Sequence, residues 1–336
     1  MIRVAILGAT GYTALELMKT LLRHPEVEIT AATSRSEGNP PIASVHPQLG
    51  GRLNLRLEDL SPTAVAARAD CVFSCLPHGV TAASMPELLA TGVRVVDFSA
   101  DYRLNDSDTF AHWYGEKHHD PNRLGKVVYG LPEFFREQIR TAQMVANPGC
   151  YPTSCILALA PLVKAGLIDP TDIICDSKSG VSGAGRTPKL GTHFPECNEN
   201  FSAYNVGRHR HTPEIEQIIG RATGKQVSVI FTPHLVPMDR GILTTAYSRP
   251  TREVTERQIF DAWNDCYAKE PFVRVVEHLP GTKDVMNTNY CDMTVRIVRD
   301  RVVTISVLDN LIKGASGAAV QNFNLMFDFP ETTALM

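Results

Sequence analysis

Gly8-Ala9-Thr10-Gly11-Tyr12-Thr13-Ala14 is the stretch on which the fold turns. It follows the apolar run Ile2-Arg3-Val4-Ala5-Ile6-Leu7, which predicts a strand. After it, Leu15, Leu17, Met18, Leu21 and Leu22 recur at helical spacing. A glycine turn between a strand and a helix is the context of the dinucleotide fingerprint. Gly8 permits the tight turn, Gly11 lets backbone approach a pyrophosphate, and Ala14 allows close helix–strand packing. The helix start adds free N–H groups and a positive dipole end. The spacing is G-x-x-G-x-x-A rather than the full G-x-G-x-x-G, so the rest of the chain must support the reading.

Working outward, further β runs at Val27–Thr33, Cys71–Leu76 and Val93–Phe98, with a helix over about Thr81–Ala90, alternate as in a doubly wound parallel sheet. The region Ser36–Leu60 is interrupted by Pro and Gly and yields no clear element. Asn147-Pro148-Gly149 punctuates the chain and marks a domain boundary. Past it, Pro152 suits a first helical turn, Ile156, Leu157, Leu159, Ala160 and Val163 repeat on one face, and Gly166 can end the helix. The remainder reads as an α+β domain with strands Ile173–Lys178, Gln226–Thr232, Ile242–Ser248, Met293–Val298 and Val302–Leu308. The last two form a hairpin about Arg299-Asp300-Arg301. A final helix, about Ala315–Met326, packs back on the first domain. The expected division is 1–148 plus 314–336, a Rossmann-like domain, and 149–313, an α+β domain.

The chain has 336 residues, above the size at which a single core keeps growing, so two domains are the natural prior. Its 33 Lys+Arg and 36 Asp+Glu give a formal charge of −3, which supplies no general field for nucleic acid or an anionic membrane. An anionic substrate must then be met by local arginines. No stretch approaches the roughly 20 apolar residues that span a bilayer, and the N-terminus lacks the pattern of a signal peptide. A cytoplasmic protein is expected. The eight cysteines form no C-x-x-C and no zinc-like doublets. Cys71, Cys75 and Cys155 read as core residues.

The second strand ends in Ser34-Arg35, with no carboxylate before Glu37. An NAD site usually places Asp or Glu there for the ribose 2′-OH. A hydroxyl beside a guanidinium suits a 2′-phosphate instead, so NADP (NADPH) is the expected cofactor.

Cys150 stands in Asn147-Pro148-Gly149-Cys150-Tyr151-Pro152-Thr153, directly before the predicted helix. Thiolate is the reactive form, and a helix N-terminus stabilises it. A thiol nucleophile needs a base, and Arg208-His209-Arg210-His211-Thr212-Pro213-Glu214 offers two. Thr212 is expected to cap a helix beginning at Pro213, with His211 just outside its positive end and therefore neutral. His209 and His211, if extended, share one face. No third metal ligand accompanies them, and no metal is expected. The remaining histidines read as surface or packing residues. Ser179-Gly180-Val181-Ser182-Gly183-Ala184-Gly185-Arg186 is a small-residue loop whose backbone can approach a nicotinamide or substrate.

Together these segments resemble the type 1 N-acetyl-γ-glutamyl-phosphate reductases, whose fold is a Rossmann-like domain with an α+β domain of the glyceraldehyde-3-phosphate/semialdehyde dehydrogenase type. The matching pieces run over essentially the whole chain: G-A-T-G-Y-T-A at 8–14, S-R at 34–35, L-P-H-G at 76–79, D-F-S-A-D-Y-R at 97–103, Y-G-L-P-E at 129–133, N-P-G-C-Y-P-T at 147–153, S-G-V-S-G-A-G-R at 179–186, H-R-H-T-P-E at 209–214, P-H-L-V-P-M-D-R-G at 233–241 and K-G-A-S-G-A-A-V-Q-N at 313–322. The resemblance implies NADPH-dependent reduction of an acyl phosphate to N-acetyl-L-glutamate 5-semialdehyde, with release of inorganic phosphate, in arginine biosynthesis. It maps the nucleophile to Cys150 and the acid/base histidine to His211, with His209 nearer the substrate. Asn147 and backbone donors are expected at the oxyanion, and Arg103, Arg186, Arg208 and Arg210 are the candidates for the substrate's carboxylate and phosphate. Gly8, Thr10, Gly11, Tyr12, Thr13, Ser34, Arg35, Pro77, Ser182, Gly183 and Asn310 are expected at the cofactor, and the assembly is expected to be a homodimer or homotetramer.

Three rivals compete. Aspartate-semialdehyde dehydrogenases share the fold and thioester chemistry but usually carry a different motif after the cysteine. A short-chain dehydrogenase would need Y-x-x-x-K, and no Tyr here has Lys four residues later. A non-catalytic NADP sensor would have no reason to combine Cys150 at a helix start with His209 and His211.

Overall fold

The computed structural model describes residues 1–35 and 38–336. Its backbone separates into two compact units, Met1–Pro148 with Ala315–Met336, and Gly149–Gly314. The second crossing between units falls after Gly314.

In the first unit seven strands form one parallel sheet: β1 (Ile2–Leu7), β2 (Val27–Thr33), β3 (Leu57–Glu58), β4 (Cys71–Ser74), β5 (Arg94–Asp97), β6 (Val128–Tyr129) and β7 (Met144–Ala146). Their order is β3-β2-β1-β4-β5-β7-β6, so the chain starts in the middle and winds out to both edges. Helices α1 (Tyr12–Leu21), α2 (Ile42–Val45), α3 (Pro62–Ala66), α4 (Val80–Ala90), α5 (Ser107–Tyr114) and α6 (Pro132–Thr141) connect them. The apolar spacing that marks α1 buries Ala14, Leu15, Leu17, Met18 and Leu21, while Leu22 follows its end. Cys71 is buried in β4, but Cys75 lies past the strand's last residue and is only partly buried, which corrects its reading as a core residue. The short β6 and β7 extend the sheet with too few residues to carry a periodic signal.

The second unit opens with α7 (Cys150–Lys164), followed by β8 (Ile168–Gly180), α8 (Phe194–Cys197), β9 (Ser202–Ala203), α9 (His211–Thr223), β10 (Val229–Val236), β11 (Ile242–Pro250), α10 (Glu256–Tyr267), β12 (Val273–Val275), β13 (Cys291–Val298) and β14 (Arg301–Leu308). The strands form a mixed sheet in the order β12-β13-β14-β11-β8-β10-β9. As expected for a hairpin, β13 and β14 pair antiparallel with Val298 opposite Arg301, and Arg299 takes the left-handed conformation in the turn. The final helix α11 (Gly317–Met326) groups with the first unit, packing on α1 and α6.

Every residue of α7 from Tyr151 to Val163 is buried. Pro161 inside it lacks an N–H, which deprives the Leu157 carbonyl of its helical donor. The Tyr267 hydroxyl of α10 donates to that carbonyl at 2.6 Å, and the Trp263 indole donates to the Ala158 carbonyl at 2.9 Å. Two aromatic side chains of one helix thereby fix the helix that begins with Cys150.

Candidate active site

Cys150 is the first residue of α7, with extended Gly149 before it. A partly buried thiol therefore sits on the positive end of a 15-residue helix. The backbone N–H of Gly149 donates to Glu214 Oε1 at 2.8 Å, and both groups are buried. Glu214 belongs to the first turn of α9, so this bond fixes the nucleophile's helix against the histidine-bearing one. Sequence reasoning did not single out Glu214; its place as the last residue of the 209–214 motif was the available signal.

The helix α9 begins earlier than expected. His211 is its first residue, and Thr212 lies in the first turn rather than capping it from outside. The physical reason is a turn at 205–212: Arg208 N–H donates to the Asn205 carbonyl at 2.9 Å and Thr212 N–H to the His209 carbonyl at 3.0 Å, which winds the chain one step sooner. The N–H of His211 donates to His209 Nδ1 at 3.1 Å, so that nitrogen is an acceptor and the proton of neutral His209 resides on Nε2. Burial, then the neighbouring His211 and Arg210, push His209 down to about 2, so its imidazole is neutral at physiological pH.

Both imidazoles reach the residue next to the thiol. The His209 and His211 ring centroids are 4.8 Å apart, and they meet the Tyr151 ring edge-on at 5.7 and 5.9 Å. The Tyr151 hydroxyl donates to the His234 carbonyl at 3.2 Å and accepts from the Tyr204 hydroxyl at 3.1 Å. Burial, then the adjacent Tyr204, pushes the Tyr151 phenol well up, and burial pushes Tyr204 up to about 12, so both stay protonated.

The loop Ser179–Arg186 is anchored on its inner side. Val181 N–H donates to the Met238 carbonyl at 2.9 Å and Ser182 N–H to the Asp239 carbonyl at 3.2 Å. Asn310 ties it further, donating through Nδ2 to Ser182 Oγ at 3.0 Å and accepting Gly241 N–H at 2.8 Å. Gly180 is required here, since a Cβ would stand 2.7 Å from the backbone of Asp239 and Arg240. Gly183 is exposed, and Arg186, Arg208 and Arg210 are exposed in the same unit.

In the first unit Gly8 has φ +71, and a Cβ there would meet the Cys75 carbonyl at 2.9 Å. Gly11 precedes α1, and a Cβ on it would meet nothing within 4 Å. No side chain caps α1 and no acidic residue occupies its first turn, so its N–H groups and dipole are available to an anion. Thr10, Tyr12 and Thr13 flank this opening, and Tyr12 is exposed. Ser34 N–H donates to the Glu58 carbonyl at 3.0 Å, Arg35 is exposed, and Glu37 lies outside the described residues. Pro77 is exposed in the loop before α4, a helix whose start is already held: Asp101 accepts from Gly79 and Ala82 N–H at 2.7 and 2.8 Å. Nearby Asp97, bonded to Ser99, is pushed by burial up to about 7.

Arg103 and Asn147 occupy structural contacts within this unit. Arg103 is buried and donates to the Phe98 carbonyl at 2.7 Å. Asn147 donates to the Ala315 carbonyl at 3.0 Å and accepts from Asn322 Nδ2 at 3.1 Å, which secures α11 to the end of β7. Among the described residues no cluster of three His, Cys, Asp or Glu is arranged to hold a metal, and no helix is long and apolar enough to cross a membrane.

Comparison with known proteins agrees in both sequence and fold. Residues 3–142 match the family model for the semialdehyde dehydrogenase NAD binding domain, and residues 150–310 that for the semialdehyde dehydrogenase dimerisation domain. The chain is 53% identical to N-acetyl-gamma-glutamyl-phosphate reductase of Rhodopirellula baltica over 100% of this chain and 98% of that one. It is 52% identical to the protein of that name from Symbiobacterium thermophilum, over 100% and 97%. Among solved structures, aspartate semialdehyde dehydrogenase II of Vibrio cholerae complexed with ASA superposes with a TM-score of 0.75 at 17% identity, covering 98% of both chains. Aspartate semialdehyde dehydrogenase with NADP from Candida albicans gives 0.71 at 15% identity, covering 97% and 98%. The chain belongs to the N-acetyl-gamma-glutamyl-phosphate reductase family and is an oxidoreductase with the semialdehyde dehydrogenase fold.

Proposed function

We propose that this chain reduces N-acetyl-L-glutamyl 5-phosphate to N-acetyl-L-glutamate 5-semialdehyde and phosphate, in arginine biosynthesis, through a thioester on Cys150. The observation that carries the reading is local: the partly buried Cys150 starts a buried helix, and its neighbour Tyr151 contacts both His209 and His211. Cys150 Sγ attacks the acyl carbon, the carbon–oxygen bond to phosphate breaks, and phosphate leaves with that electron pair. NADPH, when bound, supplies the hydride that reduces the thioester. The oxyanion then expels the Cys150 thiolate as the aldehyde forms. In this reading His211 is the acid/base group and His209, neutral, faces the substrate. Exposed Arg186 and Arg208 are assigned to the substrate's anionic groups, with Arg210 a further candidate. Buried Arg103 is a further candidate for those anionic groups, and Asn147 is assigned, with backbone donors, to the oxyanion.

The preference for NADP over NAD rests on Ser34-Arg35 at the end of β2, where a guanidinium can pair with a 2′-phosphate. The open α1 N-terminus and Gly11 suit the pyrophosphate. Asn310, Ser182 and Gly183 form the tethered loop assigned to the nicotinamide end. We place the protein in the cytoplasm and assign it a homo-oligomeric state, dimer or tetramer. The mixed sheet supports an interface, since Ile230 opposes Ile174, Ile174 opposes Tyr247 and Tyr247 opposes Val303 on one face, with Ile230 62% exposed.

The test runs the reaction backwards, with N-acetylglutamate 5-semialdehyde and NADP, with and without phosphate. NADPH absorbance should rise only with phosphate, and Cys150→Ser should cut turnover by at least about 10³-fold. Turnover of aspartate semialdehyde in place of the acetylated substrate would favour the rival enzyme. Silence with both, in protein that still binds NADP, would leave the sensor reading.

A further inference from the structure

Gly314 lies against the residue proposed as nucleophile, so closely that a Cβ on it would stand 2.9 Å from Cys150 Cβ and 3.3 Å from Cys150 Cα. Real Cβ atoms do not approach that closely, so Gly314 is a glycine for steric reasons, and its backbone forms a wall behind Cys150. What holds that wall in place is one buried carboxylate. Asp309, fully buried, accepts from Leu311 N–H at 2.8 Å and Ile312 N–H at 3.2 Å through Oδ1. Its other oxygen accepts from Asn287 N–H at 2.8 Å and pairs with Arg240 Nη1 at 3.3 Å. Its own carbonyl accepts Gly314 N–H at 2.9 Å, closing the turn that carries the glycine. Arg240 Nη1 also donates to Asn287 Oδ1 at 2.6 Å, and Asn287 takes the left-handed conformation that puts its N–H and side chain on the same pair of partners.

We infer that Asp309 is a positioning residue for Cys150, acting through the turn that sets Gly314 against it. Five polar groups converge on Asp309, and together they fix a backbone segment in direct contact with the nucleophile. The carboxylate touches neither thiol nor substrate; its effect is to set where Cys150 Cβ sits, and so where Sγ points. A displacement of about 1 Å at a reacting atom costs on the order of 10²-fold in rate. The inference rests on the reading of Cys150 as nucleophile.

The experiment uses the full-length protein with Gly314→Ala and Asp309→Asn; the second adds no non-hydrogen atom and serves if the alanine variant fails to fold. Three quantities are read: thermal midpoint, kcat and KM of the reverse reaction, and the pH dependence of Cys150 alkylation by iodoacetamide, followed on the Cys150 peptide by mass spectrometry. The expected result is a loss of about 10- to 100-fold in kcat with KM changed little, and a displaced alkylation–pH curve in protein that remains folded. A wild-type alkylation curve in both variants, with kcat falling only in proportion to the unfolded fraction, overturns the positioning role. Turnover surviving in Cys150→Ser overturns the underlying nucleophile assignment, and the two failures are separate measurements.

Discussion

His209 illustrates how position rather than residue type sets chemistry. Its Nδ1 accepts the His211 N–H, its ring meets Tyr151, Tyr204 and Phe231, and burial drives it down to about 2. An unfolded histidine takes up a proton near pH 6.5, whereas the folded one does not until far lower. Stability from this group is therefore complete above about pH 6.5 and is lost progressively as pH falls below it. Replacing it by Gln should flatten the acid limb of the stability–pH curve between about pH 6.5 and 4, measured by urea unfolding. A curve parallel to wild type over that range would mean His209 protonates in the folded state. The motif announced the pair of histidines, but the neutral state of His209 depends on burial among aromatic residues that are distant in sequence, such as Phe231 on β10.

At the scale of elements, α7 is the clearest case of a sequence feature completed from elsewhere. Cys150, Pro152 and the apolar repeat were enough to predict the helix, yet Pro161 within it opens a gap that the sequence could not close. Tyr267 closes it by donating to the Leu157 carbonyl. Tyr267→Phe should cost about 1–3 kcal/mol, because it leaves a buried carbonyl without its donor. Urea denaturation would detect this as a shifted midpoint with an unchanged slope; a change under about 0.5 kcal/mol would show that the carbonyl finds another partner. The start of α9 is the opposite case. Thr212-Pro213 has the composition of a cap and first turn, but the tertiary bond from Glu214 to Gly149 and the turn at 205–212 carry the helix back to His211.

Across the whole molecule, two sheets divide the labour, and each follows from its own hydrophobic pattern. The parallel sheet of the first unit has continuous apolar strands such as Val4-Ala5-Ile6, as buried parallel strands require. The mixed sheet of the second alternates, with Phe231 buried and Ile230, the residue before it, 62% exposed. Ile230→Lys, on that open face, should weaken self-association without altering the fold, seen as a smaller species by sedimentation velocity with an unchanged circular dichroism spectrum. An unchanged sedimentation coefficient would move the interface elsewhere. The sequence by itself determined the alternation of strands and helices, the glycine turn at Gly8 and the placing of Cys150 at a helix start, because each depends on neighbours within a turn or two along the chain. Only the tertiary structure decided that Glu214 would hold Gly149, that Asn147 and Arg103 would be engaged in structural bonds, and that Asp309 would set Gly314 against Cys150. The bonds of Gly149 to Glu214, of Asn147 to Ala315 and of Asn287 and Arg240 to Asp309 join segments far apart in the chain, and no local periodicity records which donor will meet which acceptor once water is excluded.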